Sequence, residues 1–355
     1  MRTKTMIERV EKSLPTTQQE LYNSFSSKPV DFDSFEIITG RGNIPLAEAV
    51  GKLLNKNPDQ SCSNFADGEI AVEIKPNLRG REIFILQSMT PSPNDRIQEV
   101  VLMADAARRA DAREITAIIP YFAYARQDRK PKSRTPISSS RVAKQLVGAG
   151  INRILTIDIH AEQSEGSIDQ AWDNVYADKL IGDLIRKRNL EKTVVLAADI
   201  GSAKRSEKFS TNLNNGVDIA IAYKKRDVNK HDESDTKVII GDVNNRPVII
   251  YDDLISTGNT LLNAALLAKQ NGATKVIAAA VHGIFVPNKK DGKTLPEKLN
   301  EKDCPIDELI ITDTILQKEE VLRNERVKIV SVAPILAVAI LCYLTHDSIG
   351  KRLID

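Results

Sequence analysis

Residues Val248–Thr260 read VIIYDDLISTGNT, four apolar residues leading into two adjacent acids and then a small-residue turn that opens a helix. An apolar run of this kind suits a strand buried on both faces of a parallel sheet. The turn offers backbone N–H groups and the hydroxyls of Ser256, Thr257 and Thr260 at a helix N-terminus, where anions are favoured. Asp252 and Asp253 can then accept hydrogen bonds from sugar hydroxyls. The pattern describes a sugar-phosphate cradle. An ordinary strand-to-helix junction with a capped helix is the alternative that the local residues leave open.

Outward from this stretch, short runs rich in Val and Ile alternate with segments of helical periodicity, the signature of parallel sheets with crossover helices. Strands are expected at Ile83–Ser88, Ile115–Pro120, Arg153–Ile159, Thr193–Ala198, Pro247–Asp252, Lys275–Val281, Leu309–Thr312 and Val327–Val332, with helices at Asp95–Ala110, Ser138–Ala149, Asp178–Arg188 and Thr260–Asn271. Two halves of similar rhythm meet near Asn174–Asp178, so the chain divides into an N-terminal extension (1–32), two α/β domains (33–176 and 177–345) and a C-terminal tail (346–355). The Lys-, Gly- and Pro-containing stretch Pro287–Pro305 reads as a surface insertion. Ile329–Leu344 is apolar but short for a membrane span, and reads as a strand followed by a helix starting at Pro334.

A length of 355 residues suits about two domains of ordinary size. With 50 basic against 48 acidic residues the net charge is +2, so no global field argues for nucleic acid or an acidic membrane as partner. Cys62, Cys304 and Cys342 are scattered without CxxC spacing, which implies neither a disulfide frame nor a zinc site and suggests a reducing, cytoplasmic setting. The N-terminal residues lack the apolar core of a signal peptide.

Four more segments carry chemistry. Pro120–Ser138 places Arg126, Arg129, Lys130, Lys132 and Arg134 beside Tyr121, Phe122 and Tyr124, a combination able to stack on a purine and grip a polyphosphate; a solvated charge run is the plain alternative. Thr156–Asp173 leaves a strand with Asp158 and His160, then adds Asp169 and Asp173; oxygen ligands with one imidazole suit Mg²⁺ bridged to phosphates, although a lone histidine is more often structural. ADIGSAKR, Ala198–Arg205, repeats an acid after a strand, and Asp199 is a metal ligand or an N-cap. AIAYKKRD, Ala220–Asp227, ends a strand in Lys224, Lys225 and Arg226, either a charged hairpin or a basic loop closing on a transferring phosphoryl group.

Taken in order, FADGEIAVEI (65–74), NLRGREIFILQS (77–88), PYFAYARQDRK, SRTPIS, DIHAEQSEG, DNVYAD, ADIGSAKR, KKR, IGDV (240–243), YDDLISTGNT, VHGIF (281–285), ITDT (311–314) and SVAPILA (331–337) resemble the ribose-phosphate pyrophosphokinases, or phosphoribosyl diphosphate (PRPP) synthetases, from about Phe35 to about Leu344. YDDLISTGNT taken by itself resembles the PRPP loop of the type I phosphoribosyltransferases; those enzymes lack the YARQDRK segment and the second domain.

The resemblance implies two tandem phosphoribosyltransferase-like domains, each a mainly parallel sheet flanked by helices. It implies transfer of the β,γ-diphosphate of ATP to ribose 5-phosphate with Mg²⁺, and a homo-oligomer built from dimers, up to a hexamer. By position, Asp67, Gly68, Glu69, Arg126 and Gln127 match ATP contacts; His160 and Asp199 match metal ligands, with Asp158, Asp169 and Asp173 as acids around the metal. Lys224 and Arg226 match catalytic loop cations, and Asp252, Asp253, Ser256, Thr257, Gly258, Asn259 and Thr260 match the ribose 5-phosphate site. Ser256 stands where the family often has an acid, and Asn259 where it has a small residue. A non-catalytic paralogue that regulates an active synthetase and a PRPP-consuming transferase are the alternatives. Loss of the metal histidine or the loop lysine would mark the first, and both His160 and Lys224 are present.

Overall fold

A computed structural model describes residues 14–15, 17–25, 30–214, 217–225 and 236–354. The described chain forms two compact units: Leu14–Ala177 with Asp313–Leu316 and 331–354, and Asp178–Thr312 with Gln317–Val330.

The N-terminal unit contains α1 (Gln18–Ser24), β1 (Phe35–Thr39), α2 (Ile44–Leu54), β2 (Asp59–Gln60), β3 (Cys62–Asn64), β4 (Ile70–Val72), β5 (Glu82–Leu86), α3 (Pro93–Arg109), β6 (Glu114–Ile119), α4 (Ser138–Ala149), β7 (Arg153–Ile157) and β8 (Ala171–Val175). Its sheet runs in the order β2-β1-β5-β6-β7-β8, all parallel. Every residue of β5, EIFIL, is buried, as a strand covered on both faces requires. Helix α4 occupies the residues its periodicity predicts and stops at Gly150, whose φ of 114° places it in the left-handed region that caps helices cheaply only with glycine.

The C-terminal unit contains α5 (Asp178–Arg186), β9 (Val194–Ala197), α6 (Ala203–Asn214), β10 (Asp218–Lys225), β11 (Thr236–Ile240), β12 (Pro247–Ile255), α7 (Asn259–Gln270), β13 (Lys275–Gly283), α8 (Leu295–Leu299), β14 (Glu308–Thr312), α9 (Glu319–Leu322) and β15 (Val327–Val330). Its sheet order is β11-β10-β9-β12-β13-β14-β15, parallel except for the β10/β11 pair. Strand β12 outruns its predicted end at Asp252: Leu254 and Ile255 stay in register with His282 and Gly283 of β13, so the two acids sit within the strand.

Two expectations fail here. The helix after Ser331, α10 (Ala333–Thr345), belongs to the N-terminal unit, although the sequence reading placed residues up to 345 in the second domain. All of Ile335–Cys342 is buried. A helix apolar on every side must be covered on every side. Tyr343 stacks on Phe84 of β5 at 6.3 Å, and the chain beyond α10 is no loose tail, since Leu353 is buried. Residues 287–305 are also more than a surface insertion, because Leu295 and Leu299 of α8 are wholly buried in the core of the C-terminal unit. No helix among the described residues is long and apolar enough to cross a membrane.

Leu295→Ala is therefore expected to lower the unfolding free energy by roughly 2–5 kcal/mol, whereas Leu266→Ala on the exposed side of α7 changes it by no more than about 0.5 kcal/mol. Urea denaturation of the two variants checks the contrast.

Candidate active site

In the C-terminal unit the chain order reverses at β9, with β10 on one side and β12 on the other. Open α/β sheets bind ligands outside the strand ends at such a point. Asp252 and Asp253 lie on β12 beside it, Asp253 buried and Asp252 partly so. One guanidinium nitrogen of Arg205, on α6, bonds Asp252 Oδ1 and lies 3.0 Å from Asp253 Oδ1. The Asp253 N–H also donates to Asp252 Oδ1 at 2.9 Å. Burial first, and then the neighbouring Asp253 carboxylate, push the Asp252 carboxyl up to about 7, against the lowering effect of Arg205.

After the acids the chain turns through Ser256 and Thr257 to Gly258, which caps α7 with φ 77°. A side chain there would be strained, and its Cβ would lie 2.9 Å from Leu295 Cβ. The turn is buttressed from outside: the Val286 N–H donates to Ser256 O at 2.9 Å, and Asn288 Nδ2 donates to Asn259 Oδ1 at 2.7 Å. Asn259 is thus held by a neighbour from the 287–305 segment. The first N–H groups of α7 have no acceptors within the helix, so this helix end, with Thr260 exposed beside it, favours negative charge.

Facing them, Asp199 follows β9. Its Oδ1 accepts the Ser202 N–H at 2.8 Å in the turn that leads into α6, and the residue is exposed. A cavity of about 380 Å³ opens here, lined among others by Asp199, Ile200, Tyr223, Thr260 and Asn263. Lys224 follows Tyr223 in β10, its backbone paired with Lys237 of β11. Arg226 and residues 227–235 lie outside the described residues.

The N-terminal unit presents its candidates differently. Asp67, Gly68 and Glu69 form the tip of the β3/β4 hairpin, where Asp67 Oδ1 accepts the Glu69 N–H at 3.0 Å and Gly68 has φ 94°. Arg126 is exposed on the loop after β6, and Gln127 Oε1 accepts from the Ser138 hydroxyl at 2.7 Å. His160 and Asp169 are exposed. Asp158 is engaged in the scaffold, its Oδ2 accepting the Ala177 N–H at 2.7 Å. Asp173 likewise accepts the Tyr343 hydroxyl at 2.7 Å, beneath the guanidinium of Arg153 on the tyrosine ring. The described residues gather no group of three or more His, Cys, Asp or Glu side chains able to hold a metal. Mg²⁺ needs less, because it keeps its waters and binds through one or two carboxylates and substrate phosphates, which the open carboxylate of Asp199 suits.

Comparison with known proteins agrees with this architecture. Residues 35–150 match the N-terminal domain of ribose phosphate pyrophosphokinase, and residues 230–353 match the phosphoribosyl synthetase-associated domain. Ribose-phosphate pyrophosphokinase of Neisseria meningitidis serogroup A is 39% identical over 321 residues, covering 90% of this chain and 94% of the relative. That of Chromobacterium violaceum is 41% identical over 308 residues, covering 86% and 90%. The chain belongs to the ribose-phosphate pyrophosphokinase family. Within this family, the crystal structure of phosphoribosylpyrophosphate synthetase from Mycobacterium smegmatis superposes with a TM-score of 0.79 at 33% identity, covering 88% of this chain and 99% of that one.

Two contributors were missing from the sequence-level site. In the sequence Arg205 is only the last residue of ADIGSAKR, and Leu295 only part of an insertion. For Arg205 the signal is present: a basic residue in the first turn of the helix that follows a strand-ending acid, in a chain with two adjacent acids on a later strand.

Two outcomes follow from this geometry. Tyr343→Phe, which leaves Asp173 without its hydroxyl donor, is expected to cost about 1–3 kcal/mol in urea unfolding and to leave the divalent-metal requirement of activity unchanged. Asp252 binds a proton more tightly in the fold than in the open chain, so its burial favours folding at acid pH and opposes it as pH rises towards 7. Asp252→Asn removes that opposition and leaves Arg205 with Asp253, so thermal unfolding at pH 8 is expected about 2 °C or more higher than wild type, with the gain shrinking by pH 5.

Proposed function

We propose that this chain transfers the β,γ-diphosphate of Mg-ATP to the anomeric hydroxyl of ribose 5-phosphate, giving PRPP and AMP. The observation that carries the reading is the acid pair on β12 followed directly by the anion-binding turn at Gly258, in a member of this family. The turn's N–H groups with the Thr257 and Thr260 hydroxyls hold the 5-phosphate, and Asp252 and Asp253 accept from the ribose hydroxyls.

The hairpin at Asp67–Glu69 with Arg126 and Gln127 takes ATP. The anomeric oxygen forms a bond to the β-phosphorus as the bond from that phosphorus to the oxygen of AMP breaks, and the hydroxyl proton is lost. Such a transfer rests on position and on neutralising charge, which Lys224 and Arg226 supply on the transferring group. Magnesium, with His160 and Asp199 as protein ligands and Asp158, Asp169 and Asp173 around it, would spread the phosphate charge when bound. Asp158 and Asp173 already hold scaffold donors, whereas His160, Asp169 and Asp199 are exposed. The reading extends to a cytoplasmic homo-oligomer.

Incubation with Mg-ATP and ribose 5-phosphate is expected to yield AMP and PRPP in equal amounts; a transferase or an inactive paralogue yields no AMP. Lys224→Ala should lower kcat by about 10²–10³ while sparing ribose 5-phosphate binding. Thr260→Val should raise the KM for ribose 5-phosphate by about tenfold with ATP unaffected. Weakened ATP binding in Thr260→Val would exchange the two substrates between the units.

A further inference from the structure

Helix α6 is held on β12 by two contacts a turn apart. Phe209 stacks on Tyr251 with ring centroids 4.0 Å apart and planes within 5°, both rings buried. One turn earlier, Arg205 spans the two acids. The buried apolar stack gives the helix a contact with β12 that does not depend on the ion pair. What the ion pair controls is the acids: with adjacent carboxylates this buried, loss of the cation favours a shared proton, and a carboxyl that donates to its neighbour no longer accepts freely from a sugar.

We propose that Arg205 is a positioning residue for the sugar, keeping Asp252 and Asp253 in one arrangement as acceptors for the ribose hydroxyls. This rests on the ribose 5-phosphate reading of the site. Arg205 acts through the two acids it holds, so on this reading its effect falls on the sugar.

The test uses the full-length enzyme with Arg205→Met, Arg205→Lys and the double variant Arg205→Met/Asp253→Asn, measuring kcat, both KM values and calorimetric binding of ribose 5-phosphate. Arg205→Met should raise the ribose 5-phosphate KM about tenfold or more while the ATP KM stays within about twofold. Arg205→Lys, a point charge in place of a fork, should fall between wild type and Arg205→Met. The double variant, with one carboxylate fewer to hold apart, should recover at least about threefold of the lost affinity. Equal rises in both KM values, or a double variant no better than Arg205→Met, would overturn the proposal. If Arg205→Met does not fold, a normal ribose 5-phosphate KM in Arg205→Lys overturns it instead. Wild-type enzyme that makes no AMP sinks the functional reading separately, and the calorimetric comparison still judges Arg205.

Discussion

Two neighbouring carboxylates on a largely buried strand cannot both stay ionised without a cation, and the C-terminal unit is arranged around that constraint. Asp252 and Asp253 need Arg205, and Arg205 reaches them because α6 lies across β12 with Phe209 flat on Tyr251. The same helix begins at the Ser202 turn that orients Asp199. One electrostatic requirement thus ties α6 to β12 beside the point between β9 and β12 where the sheet reverses its order.

The turn at Gly258 next to the cavity offers mainly backbone groups. Its precision comes from behind: Leu295 fills the space a side chain at Gly258 would take, and Asn288 ties down the exposed Asn259. A site of fixed N–H dipoles pays little reorganisation when a phosphate arrives, because the supporting residues have already set its geometry. Residues 287–305, hydrophilic in composition, act as a buttress through two buried leucines.

In the N-terminal unit several acids that resemble metal ligands in sequence are partners of the scaffold. Asp158 receives a backbone N–H from Ala177 across the end of the sheet, and Asp173 receives the hydroxyl of Tyr343 from a helix 170 residues away in the chain. The switch point of this sheet, between β1 and β5, is filled as well: Glu99 gathers Gln87, Arg41 and Arg96, and a Cβ on Gly40 would lie 2.7 Å from the Glu99 carboxylate. The candidate nucleotide residues lie elsewhere, on the hairpin tip and the loop after β6.

By itself the sequence determined the α/β class, the course of most strands and helices, the acid pair and the glycine turn, since these depend on local periodicity and on the few residues that tolerate a left-handed backbone. It also carried the family, through many motifs in order. Only the tertiary structure decided which unit claims α10, that 287–305 supports the turn at Gly258, that Asp158 and Asp173 accept scaffold donors, and that Arg205 reaches the two acids. An acid after a strand looks the same in sequence whether it awaits a ligand or already holds a donor, because the donor comes from a segment whose position depends on packing over long separations along the chain.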